Sequence, residues 1–248
     1  TNDILMRFTL SSSALTNKLV ALSKVINSKN SLPILADFVF EIENNTLRLT
    51  ASDSENTMKT SLELNESDSN GVFAIGNHDL IEAVKGISEQ PITFDVNLQD
   101  NIAKISYLNG LFSLPIDSAD EFPIAQEISA GANVININSN VLAENINRSL
   151  FATGQDEIRP VMNGIFFDLS PESLSIVATD GHKLVRNKIL NINNEVPASF
   201  ILPKKPANLL RSMLSKDGGD VTIKFDDRNA EINFGDGMIK CRLIEGRY

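Results

Sequence analysis

The chain has 248 residues, a net charge of -10, one cysteine and 42% hydrophobic residues, which is enough to bury a sizeable core. This composition excludes a disordered chain, a collagen and a disulfide-stabilised miniprotein. Its apolar runs fall far short of the roughly 20 residues that cross a bilayer, and no signal peptide is recognisable, so we expect no membrane association. Because Cys241 alone cannot form an internal disulfide, the sequence favours a reducing, cytoplasmic environment.

The charge is unevenly distributed along the chain. Residues 1–127 contain 8 Lys and Arg against 18 Asp and Glu, whereas residues 128–248 contain 14 of each. An acidic total argues against a nucleic-acid partner, because neutralisation of phosphates drives that affinity. Two stretches, residues 4–36 and 196–216, nevertheless contain four basic residues each and no acidic one. This segregation predicts local positive patches that the net charge conceals.

The two halves of the sequence resemble each other at an offset of 127 residues. Pro33–Leu35 aligns with Pro160–Met162, and Ala51–Asp53 aligns with Ala178–Asp180. The order of the predicted elements is the same in both halves, which indicates an internal duplication. Residues 120–131 show little periodicity and contain prolyl, seryl and glycyl residues, so they are interpreted as a linker. We therefore predict one domain at 1–127 and a second at 128–248.

Each copy is predicted to contain a strand, a helix, several antiparallel strands, a second helix and a three-stranded meander. In the first copy the strands are predicted at Phe8–Leu10, Phe38–Glu43, Thr46–Ser52, Met58–Leu64, Gly71–Ile75, Ile92–Val96, Ile102–Tyr107 and Leu111–Leu114, and the helices span Leu15–Ile26 and Leu80–Ile87. In the second copy the clearest segments are a strand at Val134–Ile137, a helix at Leu142–Leu150, a strand at Ser199–Leu202 and a helix at Leu209–Leu214.

Local signals refine the element boundaries. The predicted N-caps of the two leading helices are Ser12 or Ser13 and Ser139 or Asn140. Asn44-Asn45 is typical of a turn between strands. Asn109-Gly110 predicts a hairpin turn that requires positive φ.

The sequence lacks the usual signatures of an enzyme. It contains no phosphate-binding glycine-rich loop, no dinucleotide-binding fingerprint and no Cys-x-x-Cys or His-x-x-x-His spacing, so we expect no cofactor and no metal site. Asp180 and His182 could act as a base and the group that orients it. Asp53 occupies the matching position in the first copy, however, which favours a turn role for Asp180 and a permissive backbone at Gly181. We interpret Cys241 as a small core residue.

Three segments carry a family resemblance. Leu32–Leu35, Thr179–Leu184 and Leu243–Tyr248 closely resemble the beta subunit of bacterial DNA polymerase III, the beta sliding clamp. The resemblance runs from Met6, which it implies as the natural start, to the end of the sequence. It implies an α+β fold of tandem DNA clamp (processivity fold) domains, each an antiparallel sheet backed by two helices. It also implies a third clamp domain, which is absent from this chain.

The resemblance implies a function in DNA replication. In the family, two three-domain chains close into a homodimeric ring that encircles duplex DNA, slides along it and tethers the polymerase, without catalytic activity of its own. The edge near Ser106–Ser113 pairs with the third domain of the neighbouring subunit. We therefore expect that the sequence as given cannot close a ring.

Basic residues on or beside the predicted helices are expected to contact the phosphate backbone without reading bases. These predicted DNA-binding residues are Lys24, Lys29, Arg148, Lys204, Lys205 and Arg211. The resemblance assigns DNA contacts to Lys29, Lys204 and Lys205. Some clamps carry two aromatic DNA-contacting residues where this chain has Pro160 and Val161.

The resemblance also implies a pocket for short linear motifs of the polymerase, the clamp loader and repair proteins. Its wall in the second domain matches Arg159, Met162, Thr179, Gly181, His182, Lys183 and Leu184. Met162 and Leu184 would supply apolar contacts, and Arg159 and His182 a polar rim. Lys183 replaces a common arginine, which keeps the charge but loses the planar guanidinium.

Two other interpretations remain at this point. One is an interaction scaffold of two domains that binds no nucleic acid. The other is a small-molecule enzyme that uses Asp180 and His182.

Overall fold

The structure, a computed structural model, describes residues 5–214 and 218–248. Lys216, part of the second basic stretch, lies outside the described residues. The chain forms two compact units, Thr1–Ile124 and Ala125–Tyr248, and each is described by itself. The boundary predicted after residue 127 stays a prediction. In the described part of the chain, no helix is long and apolar enough to cross a membrane.

From residue 5 onward, the first unit contains two α-helices, one 3-10 helix and nine strands that pair antiparallel. In chain order its elements are β1 (Leu5–Ser11), α1 (Ser12–Ser23), a 3-10 helix (Pro33–Ala36), β2 (Asp37–Glu43), β3 (Thr46–Ser52), β4 (Asn56–Glu63), β5 (Glu66–Ser67), β6 (Gly71–Gly76), α2 (Asn77–Val84), β7 (Pro91–Asn97), β8 (Ile102–Tyr107) and β9 (Gly110–Asp117). The strands lie side by side in the order β4-β3-β2-β6-β9-β8-β7-β1-β5. Strand β9 pairs with β8 from Gly110 to Pro115 and with β6 only at Ile116 and Asp117.

The core of the first unit follows from the alternation of its strands. Every second side chain of a strand points to the same face, so alternating apolar residues build one buried layer. Phe8 stacks on Phe94 with ring centroids 4.8 Å apart, and Phe40 stacks on Phe73 at 5.1 Å. All four rings are fully buried. Helix α1 covers this layer with leucines spaced three and four residues apart, which places them on one face of the helix.

The second unit repeats the plan with a different sheet arrangement. Its elements are β10 (Asn133–Asn138), α3 (Ser139–Leu150), a 3-10 helix (Pro160–Asn163), β11 (Gly164–Leu169), β12 (Leu174–Thr179), β13 (Leu184–Ile189), β14 (Ala198–Pro203), α4 (Lys204–Met213), β15 (Asp220–Phe225), β16 (Asn229–Phe234) and β17 (Gly237–Arg242). The strands run β13-β12-β11-β14 and β10-β15-β16-β17. Phe167, Phe200 and Phe225 form its aromatic core, with successive centroids 4.6 and 4.5 Å apart.

The predicted N-caps of the leading helices are each one or more residues too late. Ser11 caps α1, and its hydroxyl accepts a hydrogen bond from the N–H of Ala14. Ser12 instead faces inward, where its hydroxyl donates to the carbonyl of Ser88. Asn138 caps α3 through its side-chain oxygen. In both copies the last residue of the leading strand is also the N-cap of the following helix. The alternating hydrophobic pattern of the strand therefore does not reveal where the helix begins.

The turn predicted at Asn44-Asn45 is confirmed, whereas the positive φ predicted at Asn109-Gly110 is wrong. Asn44-Asn45 adopts positive φ at both residues, 48° and 63°. Positive φ does not occur at Asn109-Gly110. Glycine is needed at Gly110 for space, because a Cβ there would lie 2.3 Å from the hydroxyl of Tyr107. In the matching hairpin of the second unit the positive φ falls on Gly235, at 54°.

Candidate functional site

The loop between β12 and β13 is held by the carboxylate of Asp180. Its Oδ1 accepts the backbone N–H groups of Lys183 and His182, both at 2.9 Å, and its Oδ2 lies 3.1 Å from Lys183 Nζ. These two backbone hydrogen bonds and then the ammonium group hold the pKa of Asp180 well below its usual range. The carboxylate is therefore an ionised hydrogen-bond acceptor at neutral pH.

The first unit contains the same turn. Asp53 Oδ1 accepts the N–H groups of Glu55 and Asn56 at 3.0 and 2.6 Å. The turn role predicted for Asp180 is confirmed, because its acceptor bonds go to backbone N–H groups and to Lys183. A base and its orienting acid would require a bond to the imidazole of His182. The geometry therefore gives no support to the small-molecule enzyme.

Gly181 brings the loop close to the 3-10 helix. Its φ of +88° lies in the region that glycine tolerates best. A Cβ at this position would lie 3.7 Å from both terminal nitrogens of Arg159 and 4.0 Å from Met162 Cε. The structure thus brings together three of the residues predicted to line the peptide pocket.

Asp156 fixes the guanidinium of Arg159. Asp156 Oδ2 accepts Arg159 Nε at 3.0 Å and lies 3.0 Å from Nη2, while Oδ1 accepts the N–H groups of Ile158 and Arg159. The backbone hydrogen bond from Arg159, followed by that from Ile158, lowers the pKa of Asp156. Asp156 was not predicted from the sequence, because it lies in a loop before the 3-10 helix, where no helical spacing indicates an ion pair.

Thr179 shapes the loop from inside. Its hydroxyl donates to the carbonyl of Lys183 at 2.7 Å and accepts the N–H of Gly181 at 3.1 Å. Its own N–H donates to the hydroxyl of Tyr248, which stacks on Phe166 with centroids 4.8 Å apart. Thr179 therefore positions the neighbouring residues.

Exposed apolar side chains flank this loop. Leu184 is 66% exposed and Phe151 is 63% exposed. The ammonium of Lys183 lies 5.9 Å from the centroid of the Phe151 ring, within the range of a cation–π contact. His182 is also exposed. Phe151 is a second residue that the sequence analysis missed, because its exposure cannot be read from the helical pattern.

The predicted DNA-binding residues lie on or beside helices of both units. Lys24 is the C-cap of α1, and Lys29 lies in the loop that follows. Both are exposed, and neither forms an ion pair with any other described residue. Two lysines at the N-terminus of a helix meet the positive end of its dipole, so Lys204 and Lys205 occupy an electrostatically unfavourable position at the start of α4. Arg211 lies in the last turn of α4, where a cation is favourable.

Arg148 differs from the other predicted contacts. Its Nη2 lies 2.5 Å from Glu144 Oε1 one turn earlier on α3. Both side chains are more than half exposed, so a phosphate could replace the carboxylate at small cost. Helices α3 and α4 pack against each other, which places Arg148 and the α4 cations on neighbouring helices of one unit.

The described residues provide neither a cluster of metal ligands nor a reactive thiol. Among residues 5–214 and 218–248, no group of three or more His, Cys, Asp or Glu side chains could hold a metal ion. Cys241 is fully buried, and burial raises the pKa of its thiol to about 12, which makes it unreactive.

Comparison with known proteins identifies both units. Residues 6–126 match the family description "DNA polymerase III beta subunit, N-terminal domain", and residues 136–248 match "DNA polymerase III beta subunit, central domain". The chain belongs to the DNA polymerase III beta subunit family. The two matches follow each other in the order in which the family names its domains.

Relatives of the beta subunit share the fold at low sequence identity. The beta sliding clamp of Buchnera aphidicola is 25% identical over 243 residues, which covers 98% of this chain and 66% of the relative. A sliding clamp structure from Pseudomonas aeruginosa is 24% identical, with a TM-score of 0.91 over 98% of this chain and 66% of that one. A Helicobacter pylori beta clamp bound to a DNA ligase peptide is 24% identical, with a TM-score of 0.88. The chain thus spans just under two thirds of the length of its first curated relatives.

Proposed function

We propose that this chain supplies the first two domains of a DNA sliding clamp, a non-catalytic processivity factor for a bacterial DNA polymerase III. The ordered match of both units to the N-terminal and central domains of the family carries this proposal. The proposed domains are residues 1–127 and 128–248. The working form is a homodimeric ring in the cytoplasm that surrounds duplex DNA. Six of the eight residues of β9 lack a partner strand on one side among the described strands, which suits pairing between subunits.

The proposed DNA contact is electrostatic and independent of sequence. Lys24, Lys29, Lys204, Lys205 and Arg211 occupy helix ends, a helix or a loop, and none of their positions suggests base reading. Arg148 joins this set by exchanging Glu144 for a phosphate. Since the chain as a whole is acidic, DNA would be repelled elsewhere on its surface, which favours sliding over tight binding.

The proposed partner site is the surface formed by Arg159, Met162, Gly181 and their neighbours. Met162 and Leu184 supply apolar contacts for a short linear motif, while Arg159, His182 and Lys183 provide a polar rim. Thr179 and Asp180 hold the loop in shape. The DNA ligase peptide on the Helicobacter pylori clamp is a precedent for such a ligand.

The DNA contact is tested with the clamp protein and a fluorescent duplex. Affinity is measured by anisotropy across a range of salt concentrations. The double variant Lys204→Ala/Lys205→Ala should reduce the slope of log affinity against log salt concentration by about 0.9 for each phosphate that it no longer neutralises. Lys224→Ala, an exposed lysine on β15, is the matched control and should leave the slope unchanged. Equal effects of the helix and strand variants would contradict the proposed DNA surface.

The partner site is tested separately by titrating that DNA ligase peptide. Met162→Ala and Arg159→Ala should each weaken binding several-fold by removing an apolar contact or a charged hydrogen-bond donor. Lys188→Ala, on β13 outside the proposed site, is the control. Wild-type affinity in both site variants would exclude this surface as the peptide site.

A further inference from the structure

One of the cavities of the first unit lies beside the end of β9. It has a volume of about 630 Å³ and is lined by Leu32, Pro33, Ile34, Asp117, Ser118, Asp120 and Glu121. We call it the exit cavity, because one wall is the segment by which the chain leaves β9. The opposite wall is the apolar start of the 3-10 helix, where Leu32 is 45% exposed. The proposed DNA and peptide sites use none of these residues.

The lining of the exit cavity carries negative charge only. Asp117, Asp120 and Glu121 are exposed carboxylates, and none of the lining residues is basic. The acidic wall has a defined shape, because the N–H of Asp120 donates to the hydroxyl of Ser118 at 3.2 Å. The cavity therefore offers an apolar wall facing an acidic one.

A buried carboxyl group lies behind the acidic wall. Asp37 is only 7% exposed, and its Oδ2 has no hydrogen-bond donor within reach. Its neighbour is the carboxyl of Asp117, with which it can form a hydrogen bond only if the pair keeps a proton. Ionising the buried carboxyl of Asp37 beside the exposed carboxylate of Asp117 is costly unless a cation compensates for the added negative charge. The residues that line the cavity supply no cation that could do so.

The exit cavity of the first unit has no open counterpart at the corresponding place in the second unit. At the offset of 127, residues 117–121 correspond to residues 244–248. There the N–H of Ile244 donates to the carbonyl of Ile201, and Tyr248 stacks on Phe166. Gly246 lies so close to Val161 that a Cβ would approach it to 2.6 Å. The second copy thus fills this place with its own residues, whereas the first leaves it open and acidic.

We propose that the exit cavity binds a peptide segment of a partner protein that carries a lysine or arginine beside an apolar residue. The cation would lie against Asp117, Asp120 and Glu121, and the apolar side chain against Leu32 and Ile34. A metal ion fits less well, because no group of three suitable ligands converges in the described residues. The proposal is independent of ring formation and of the site around Met162.

The proposal predicts a dependence on pH. A bound cation favours loss of the proton shared by Asp37 and Asp117, so affinity should rise between pH 6 and pH 8. The 3-10 helix and β6, which flank Asp37, contain no titratable group. Helix α2 begins beside it, since the side-chain amide of Asn77 donates to the carbonyl of Ala36, and α2 carries the exposed His78 and Asp79 in its first turn. Asp120 and Glu121 are the remaining charged groups at the cavity.

The test follows backbone amide signals by nuclear magnetic resonance during titration. The probes are an acetylated tetrapeptide of alternating leucine and lysine, its leucine–glutamate counterpart, and magnesium chloride alone. We expect the lysine peptide to shift the amides of residues 32–34 and 118–121 and the glutamate peptide to leave them unchanged. Magnesium shifting these amides when the lysine peptide does not would overturn the proposal.

Variants separate the cavity from general charge attraction. Asp120→Asn/Glu121→Gln should weaken the lysine peptide at least fivefold, and Glu55→Gln, at an exposed turn of the same unit, should leave its affinity unchanged. Asp37→Asn should remove the rise in affinity with pH. Equal weakening by the Glu55 variant, or no weakening by the double variant, would refute the site.

Discussion

Replacement of Asp37 by asparagine is expected to stabilise the protein above neutral pH. Burial, followed by the hydrogen bond and the charge of Asp117, raises the pKa of Asp37 from 3.8 to about 7. The folded state therefore keeps a proton that the unfolded chain loses near pH 3.8. The stability contributed by the protonated pair is complete below that pH and is lost as pH rises through about 7. An asparagine amide can donate to Asp117 without a proton, so Asp37→Asn escapes this loss.

The size of the effect follows from the range of pH over which the two states differ. Each pH unit is worth at most about 1.4 kcal/mol, so roughly three units give an upper limit of about 4 kcal/mol. Asp117 is exposed, and water screens its charge. We therefore expect the free energy of unfolding of Asp37→Asn to exceed that of the wild type by about 1–3 kcal/mol at pH 8. At pH 5 the excess should be well under half of that, because only about one of the roughly three pH units lies below pH 5.

Urea unfolding at pH 5, 6, 7 and 8, followed by circular dichroism because the chain has no tryptophan, measures this difference. At each pH the free energy of unfolding of the wild type is subtracted from that of the variant, which cancels the pH dependence contributed by all other acidic groups. Glu55→Gln serves as the control and should give a flat difference. A constant difference for Asp37→Asn across the same range would refute the shared proton.

Three further substitutions test other parts of the structure by urea unfolding. Gly181→Ala should cost about 1 kcal/mol because φ is +88°, whereas Gly86→Ala, at ordinary φ and with open space around its Cα, should cost nothing. Phe94→Ala should cost about 3–5 kcal/mol, because it empties a fully buried ring position; a cost below 1 kcal/mol would contradict the stacked core. Lys240→Ala should lower the free energy of unfolding more than Lys240→Met, because the alanine removes the largely buried aliphatic part of the side chain that methionine keeps. Both variants lose the ammonium group, which lies 3.8 Å from Glu231. Equal losses of stability would therefore assign the effect to charge alone.

The repeated elements could be predicted from the sequence because their patterns are local. Strands β3 and β8 have the predicted bounds, and the other predicted strands of the first copy differ by one to three residues at an end. The period-two burial of a strand leaves a signal in every residue, whereas a helix start depends on one hydrogen bond. The sequence pattern is compatible with Ser11 as the end of a strand or as the N-cap of a helix, and in the structure it is both the last residue of β1 and the N-cap of α1. Such boundaries are set by the fold and not by the local sequence.

The candidate site was predictable only in part. The duplication of Asp53 at Asp180 revealed a turn, and the same logic gave Gly181 its backbone role. Glu144 could have been found from its spacing of four residues to Arg148 on a predicted helix, whereas Asp156 lies in a loop, where its spacing to Arg159 carries no such signal. The pairing of Asp37 with Asp117 could not, because it depends on β6 lying between β2 and β9. No pattern within either strand indicates that the two carboxyl groups meet.

The short pairing of β9 with β6 has a practical consequence for handling the protein. From Leu111 to Leu114, one side of β9 meets no strand among those described, and Leu111 is 60% exposed. An uncovered strand edge with apolar side chains is a template for aggregation when no proper neighbour occupies it. Concentrated samples should therefore aggregate by pairing of this strand edge. The substitution Ser113→Lys should reduce that aggregation, because a charged side chain on the edge opposes pairing.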